Sequence, residues 1–401
     1  MDLNQITDAR GPGHTPGIKR LPNIKALTSI RFFAALHVVL FHFVRPFSLW
    51  GLFEGAMGAG YIGVSFFFVL SGFILTYSHS HEYERGRGRA SKFLIARFAR
   101  IYPVYLVSMI LAAYVNRSQF HQKIHILAYI ADLFMVQSWS IRMVPFFNVP
   151  AWSLSCEAFF YLLFPFIFLR LRPASFKKSI LTLCVLWFLA LAVPLLCLWF
   201  YPQVSWHQNV SPIVAGTRQA FLVRRLPILA LPEFLAGISL GWLYLRFPPK
   251  RGMASFLASA GIVTLAVALM LADHLPFMLL HNGLLIPIFG LLLLGLGEPN
   301  WLSRLLSNPI LVLLGEASFA LYLTHFLFND WLRPFFGNHD TVLDAVWKLA
   351  VTIPLSIVLH LYVERPCRRL ILQWWSRKHP AELTVAAGAK SKKDSRQEVL
   401  F

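Results

Sequence analysis

The chain has 401 residues, 57% of them hydrophobic and only 14% charged, with a mean hydropathy of +0.59. Those values exclude an ordinary soluble domain and indicate a polytopic, all-α membrane protein embedded in the lipid bilayer. A formal charge of +19 would suit nucleic acid. The basic residues, however, lie in short runs between apolar segments, a membrane-topology pattern, so no nucleic-acid partner is expected.

Residues 1–25 are polar, rich in Gly and Pro, and lack the apolar centre of a cleavable signal peptide. They read as a disordered cytoplasmic arm, and the first span then serves as the insertion signal. Apolar segments predict about ten transmembrane helices, at roughly 27–46, 61–79, 93–115, 150–169, 179–200, 226–245, 254–272, 279–296, 308–328 and 343–363. His81 to Lys92 reads as a polar hinge and 202–222 as a polar loop. The stretch 121–146 mixes Asp132, Gln137, Ser138 and Arg142 with apolar residues, and is expected to be a re-entrant or surface segment. The membrane domain then covers 26–370, and 371–401 forms a basic cytoplasmic tail. Its last residues, Glu398 to Phe401, resemble part of a protease-cleavage linker and are set outside the fold.

With 121–146 not crossing, 27 Lys and Arg residues fall on the side of the two termini and nine on the other. Counting that stretch as a span would put the cluster Arg170 to Lys178 outside. The asymmetry therefore assigns both termini to the cytoplasm. The four cysteines, Cys156, Cys184, Cys197 and Cys367, show neither CxxC nor zinc-like spacing. They read as small buried apolar residues, and no metal site is expected.

The first span carries Arg31, His37 and His42. Ionisable groups inside a membrane helix are expensive and mark functional sites. Arg31 and His42 are 11 residues apart, about 1100° or close to three whole turns, so they share a helical face with about 16 Å of rise between them. His37 points away from that face. One face thus offers a fixed cation near the cytoplasmic surface and a titratable imidazole deeper in.

Arg97 and Arg100 also share a face, at the mouth of the third span. Such a pair either anchors the span or binds an anion such as a polyphosphate, with Arg31 at similar depth. In the fourth span, Glu157 is expected at the depth of His42, where a carboxylate would orient the imidazole or cap a wet loop. Trp152 at the start of that span reads as an interfacial residue. Ser318, Tyr322 and His325 recur at spacings of four and three, forming a polar stripe that serves either interhelical hydrogen bonds or a site. Glu364 in Glu364–Arg365–Pro366 is expected to pair with an arginine where span ten stops. Glu233 and His360 are further intramembrane ionisable groups, while His207, His274 and His281 are assigned to outer loops or span ends.

Taken together, Leu27…Arg31…Ala34–Ala35…His42, Phe67 to Phe73 with Ser71, Arg97–x–x–Arg100–Ile101–Tyr102–Pro103, Trp152–Ser153–Leu154–Ser155–x–Glu157, Tyr322–x–x–His325 and Glu364–Arg365–Pro366 resemble acyltransferase family three. The likeness runs over about 27–370, with the motifs in family order. It implies a bacterial inner-membrane enzyme that O-acylates extracytoplasmic glycans with a cytoplasmic acyl-CoA, typically acetyl-CoA. It further implies that His42 is the essential catalytic residue and that Arg31, Arg97 and Arg100 assist donor binding or catalysis. Phe32–Phe33 departs from the glycine that many members place after the arginine. No appended hydrolase-like domain is read, and the short form most resembles exopolysaccharide acetyltransferases such as those acting on xanthan.

On this reading His42 is the general base, Glu157 orients it, and Tyr322, Ser153 or Ser155 donate to the oxyanion. Ser71, Trp152, Ser318 and His325 are further site candidates. A covalent acetyl-His42 intermediate is the alternative route. Expected partners are acetyl-CoA, a glycan or lipid-linked oligosaccharide acceptor, and polysaccharide assembly proteins. The rival reading is a transporter or flippase of lipid-linked sugars, which would show inverted repeats; the halves of this chain show no internal similarity.

Overall fold

A computed structural model describes residues 24–44, 52–84, 86, 88–143, 147–206, 217–336 and 342–379. The expected arm up to residue 23, Arg85 and Arg87 of the hinge, His207, and the tail beyond 379 lie outside the described residues. Every described element is helical, and ten helices or broken helices are long and apolar enough to cross a membrane.

In chain order the helices are α1 (Lys25–Val44), α2 (Leu52–Gly58), α3 (Ile62–Glu84), α4 (Ala90–Val115), α5 (Lys123–Leu133) and α6 (Trp152–Ile167). Then come α7 (Phe176–Phe200), α8 (Pro202–Trp206), α9 (Thr217–Arg225), α10 (Pro227–Arg246) and α11 (Arg251–Met270). The last are α12 (Phe277–His281), α13 (Ile286–Leu296), α14 (Trp301–Leu306), α15 (Pro309–Phe336), α16 (Val342–Leu359) and α17 (Arg365–Lys378). Prolines 103, 165, 194, 232 and 354 sit inside these helices. Membrane bundles tolerate them because neighbouring groups satisfy the freed carbonyls.

Two helix pairs set the frame: α1 packs along α15, and α10 along α3. The second contact is close because Gly72 and Gly237 face the partner backbone. A Cβ on Gly237 would strike the carbonyl of Val69, and one on Gly72 the carbonyl of Phe234. The eighth span breaks at Gly283, whose φ of +83° needs glycine. His281 and Asn282 lie just before that break, buried near the start of the span, the span-end position expected for His281.

Three expectations are corrected here. Helix α3 continues to Glu84, so the hinge is shorter than its polar composition implied. Span ten does not stop at Glu364. A π turn over His360–Glu364 passes the chain directly into α17, and Pro366 occupies the first turn of that helix, where its missing N–H costs nothing. Of the cysteines, Cys156 and Cys197 are buried, but Cys184 is exposed on α7, a helix with much of its surface directed outward.

Of the stretch 121–146, the described residues, 121–143, form α5 and a turn over Gln137–Trp139, and none of these qualifies as a span. It is tied to the bundle by Tyr102, Tyr105 and Tyr129, whose hydroxyls donate to the carbonyls of Leu133, Asp132 and Met109. Burial raises the Asp132 carboxyl from 3.8 to about 8. The folded chain therefore holds a proton there that the unfolded chain has lost, and stability falls as pH rises from about 4 towards 8. Asp132→Asn is expected to flatten that part of the thermal-stability profile of the detergent-solubilised protein. An unchanged slope would show that Asp132 does not carry the effect.

Candidate active site

The site is built where α1, α3, α4, α6 and α15 meet. A cavity with about 820 Å³ of empty space, part of it open at its mouth, is lined by Arg31, Arg97, Arg100, Glu157, Tyr161 and Ser71. Ser153, Ser318 and Tyr322 border it too, and Phe67, Phe68, Leu75 and Phe319 supply apolar wall. One helical face of α1 thus turns Arg31 into the cavity and His42 against α15. Five separate sequence motifs contribute to one chamber.

The polar groups divide by position. Arg31, Arg97 and Arg100 act on the Glu157 carboxylate, and Tyr161 Oη donates to Glu157 Oε2 at 2.9 Å. Ser71 Oγ lies 3.5 Å from the same tyrosine hydroxyl. Glu157 therefore sits within electrostatic reach of the three arginines and is bonded by Tyr161. Its position two turns into α6 brings it level with the guanidiniums, which the common-depth argument had not resolved. Arg97 keeps its buried Nε without a hydrogen-bond partner. More positive than negative charge faces the chamber, with donor capacity left over, which fits a polyphosphate.

Farther along α15, Tyr322 Oη and Ser153 Oγ are 2.8 Å apart. Ser153 Oγ and Tyr322 Oη each donate to Pro150 O, at 3.0 and 3.1 Å. Ser155 is buried, does not line the cavity, and its Oγ has no partner. Ser318 Oγ donates back to Gly315 O at 2.7 Å.

One turn beyond Tyr322, His42 meets His325. His325 Nδ1 is 2.7 Å from Tyr322 O, so it carries the proton and donates it. His325 Nε2 is then an acceptor, and it lies 3.2 Å from His42 Nδ1. His42 Nδ1 is also 2.9 Å from Val38 O, another acceptor. Two acceptors around one nitrogen put the proton on His42 Nδ1. Phe326 packs edge-on against the ring at 5.7 Å. The imidazole is thus held in one tautomer by a second histidine and a carbonyl, with no carboxylate among these contacts. His37 points elsewhere, its Nε2 2.7 Å from Ala56 O.

Two residues near the chamber escaped motif reading. Tyr161 follows Glu157 by four, a spacing that puts both on one helix face. Arg368 of α17 belongs to no motif, yet it acts on Arg97 and takes Arg100, Glu364 and Glu316 as electrostatic neighbours. The π turn is what brings it back to α4. Glu364 was expected to pair with an arginine; instead His360 Nδ1 donates to its Oε2 at 3.0 Å. Arg365 bonds Glu316, and its Nε lies 3.0 Å from His360 Nε2. Trp152 is buried and stacked on His281 at 5.8 Å, so it is not a belt residue.

Comparison with known proteins shows the family. The family described as "Acyltransferase domain" matches residues 24–361. The chain belongs to acyltransferase family three. It is 30% identical over 385 residues to the acyltransferase MdmB of Streptomyces mycarofaciens, covering 89% of this chain and 94% of that one. To the peptidoglycan O-acetyltransferase OatA of Listeria monocytogenes it is 24% identical over 380 residues, covering 86% of this chain. The match spans 56% of OatA, so the chain accounts for little more than half of that relative. No solved structure matches. The protein is a multi-pass membrane O-acyltransferase.

Proposed function

We propose that the chain moves an acetyl group from cytoplasmic acetyl-CoA to a hydroxyl of a glycan or lipid-linked oligosaccharide presented across the inner membrane of a bacterium, with both termini cytoplasmic. The observation that carries this is the continuity of one path. An arginine-lined chamber runs to Tyr322, one turn short of the paired imidazoles.

In this reading Arg31, Arg97, Arg100 and Arg368 bind the phosphates of CoA, and Glu157, bonded by Tyr161, offsets part of their charge. The apolar wall of Phe67, Phe68 and Phe319 accepts the pantetheine arm. The rise of about 16 Å between Arg31 and His42 is of the order of that arm's length. His42 Nε2 removes the proton as the acceptor oxygen attacks the thioester carbonyl. The hydroxyls of Tyr322 and Ser153, once turned from Pro150 O, donate to the oxyanion, worth more in a site without bulk water. Collapse of the adduct breaks the carbon–sulfur bond, and the His42 imidazolium returns the proton to the leaving thiolate. Relatives acting on peptidoglycan support a sugar hydroxyl as acceptor.

The test is transfer across a sealed membrane. Purified protein in proteoliposomes receives radiolabelled acetyl-CoA on one face and lipid-linked glycans on the other. Label is expected in the glycan only when the donor is on the face bearing the termini. Label appearing equally from either face would reject the proposed route. Glycan moving across without loss of thioester would favour the flippase reading.

A further inference from the structure

A second cationic site lies past the imidazole pair, at the end of the bundle opposite the donor chamber. Arg224 and Arg225 close α9 just before Pro227 opens α10. The Arg225 guanidinium rests over the Phe221 ring at 4.6 Å, and its Nη1 is buried without a hydrogen-bond partner. Arg224 rests over Phe277 at 4.5 Å. Both charges act on His281, whose side chain is 8% exposed and whose Nδ1 is buried without a partner. Of the acidic groups around it, Asp273 acts with Arg224 on Tyr61, and Glu233 is two turns deeper on α10, beside Ser65 and Gly283.

This cluster is wired to the reacting groups. The His281 ring is stacked between Tyr61 at 5.7 Å and Trp152 at 5.8 Å. Trp152 precedes Ser153, the partner of the Tyr322 hydroxyl. The Cys156 thiol donates to Arg225 O at 3.5 Å, and the Arg225 charge reaches Tyr322. Tyr61 also packs edge-on against Phe41, the neighbour of His42.

We propose that Arg225, with Arg224 and His281, binds a phosphate group beside the acceptor hydroxyl, so that the acyl acceptor is a phosphate-bearing or lipid-phosphate-linked molecule. The inference rests on the acyl-transfer reading for its meaning, but not for its test. Two guanidiniums and an imidazole approach from different elements, α9 and α12. A tetrahedral phosphate accepts donors from several directions, whereas a planar carboxylate is satisfied by one fork. A bundle that places one cationic site at each end of a reaction path would hold donor and acceptor by their phosphates while leaving the reacting carbonyl and hydroxyl to the centre.

Binding is measured by calorimetric titration of inorganic pyrophosphate into full-length protein in phosphatidylcholine nanodiscs, with CoA saturating the donor chamber. Wild type is expected to bind, Arg225→Gln to bind about tenfold more weakly, and Arg225→Lys to retain most of the affinity. The lysine variant separates loss of charge from loss of fold. Equal affinity of wild type and Arg225→Gln overturns the proposal, as does failure of wild type to bind. Repeating the titration in phosphatidylglycerol nanodiscs identifies the source. Competition by that lipid assigns the site to a membrane phosphodiester, and undiminished binding assigns it to the acceptor's own phosphate. Failure of the acyl-transfer reading would show instead as no thioester consumption with pyrophosphate binding intact.

Discussion

Replacing His42 by alanine is expected to lower the rate of acyl transfer by about 10²–10⁴-fold while leaving the affinity for CoA unchanged. The ring stands one turn beyond the donor chamber, so its loss removes the lone pair that takes the acceptor proton and nothing that touches the phosphates. His325→Gln should cost less, because Val38 O still holds the His42 Nδ1 proton when the second histidine is gone. The measurement is steady-state and single-turnover transfer from labelled acetyl-CoA, with folding followed by size-exclusion and thermal unfolding. Transfer by His42→Ala at near wild-type rate would remove the imidazole from the reaction. A burst of label on the protein that survives denaturation and is absent in His42→Ala would instead mark an acetyl-histidine intermediate.

Loss of any one of Arg97, Arg100 or Arg368 should weaken CoA binding by about 10–100-fold, the value of a charge-assisted hydrogen bond. The Arg368 variant is the sharper test, since no motif marks that residue and only the continuation of span ten into α17 brings it to α4. Affinity should also fall with added salt in wild type, and less steeply in each variant, because the mouth of the chamber is reached by solvent. Glu157→Gln is expected to act oppositely on the ground state, removing a counter-ion and strengthening phosphate binding. Titration of CoA into detergent-solubilised protein measures all four. Unchanged affinity in Arg97→Ala and Arg100→Ala together would remove the donor from this chamber.

Much of the architecture is readable from residue order because a bilayer leaves so few solutions. Without water in the hydrocarbon, an unpaired backbone is intolerable, so long apolar runs must be helices and their number follows from hydropathy. The same argument excludes 121–146 as a span, since Asp132 and Arg142 interrupt it. The helical period alone puts Arg31 and His42 on one face of α1 and Ser318, Tyr322 and His325 along one stripe of α15. Those two stripes do face each other.

What residue order leaves open is which stripe meets which, and at what height. Glu157 and His42 were assigned to one depth from their distances to the span ends. Depth along an axis, however, does not say which neighbour lies across the helix gap. Packing of α6 against α3 and α4 hands Glu157 to the arginines, and packing of α1 on α15 hands His42 to His325. Arg368, Arg225 and His281 were hidden for a related reason. Each owes its place to a local irregularity, namely the π turn at His360–Glu364, the junction of α9 with α10, and the break at Gly283. Periodicity predicts regular helices. Where a helix departs from regularity, only the surrounding contacts select the conformation, because the alternatives differ by little in local energy and by much in what they bring together.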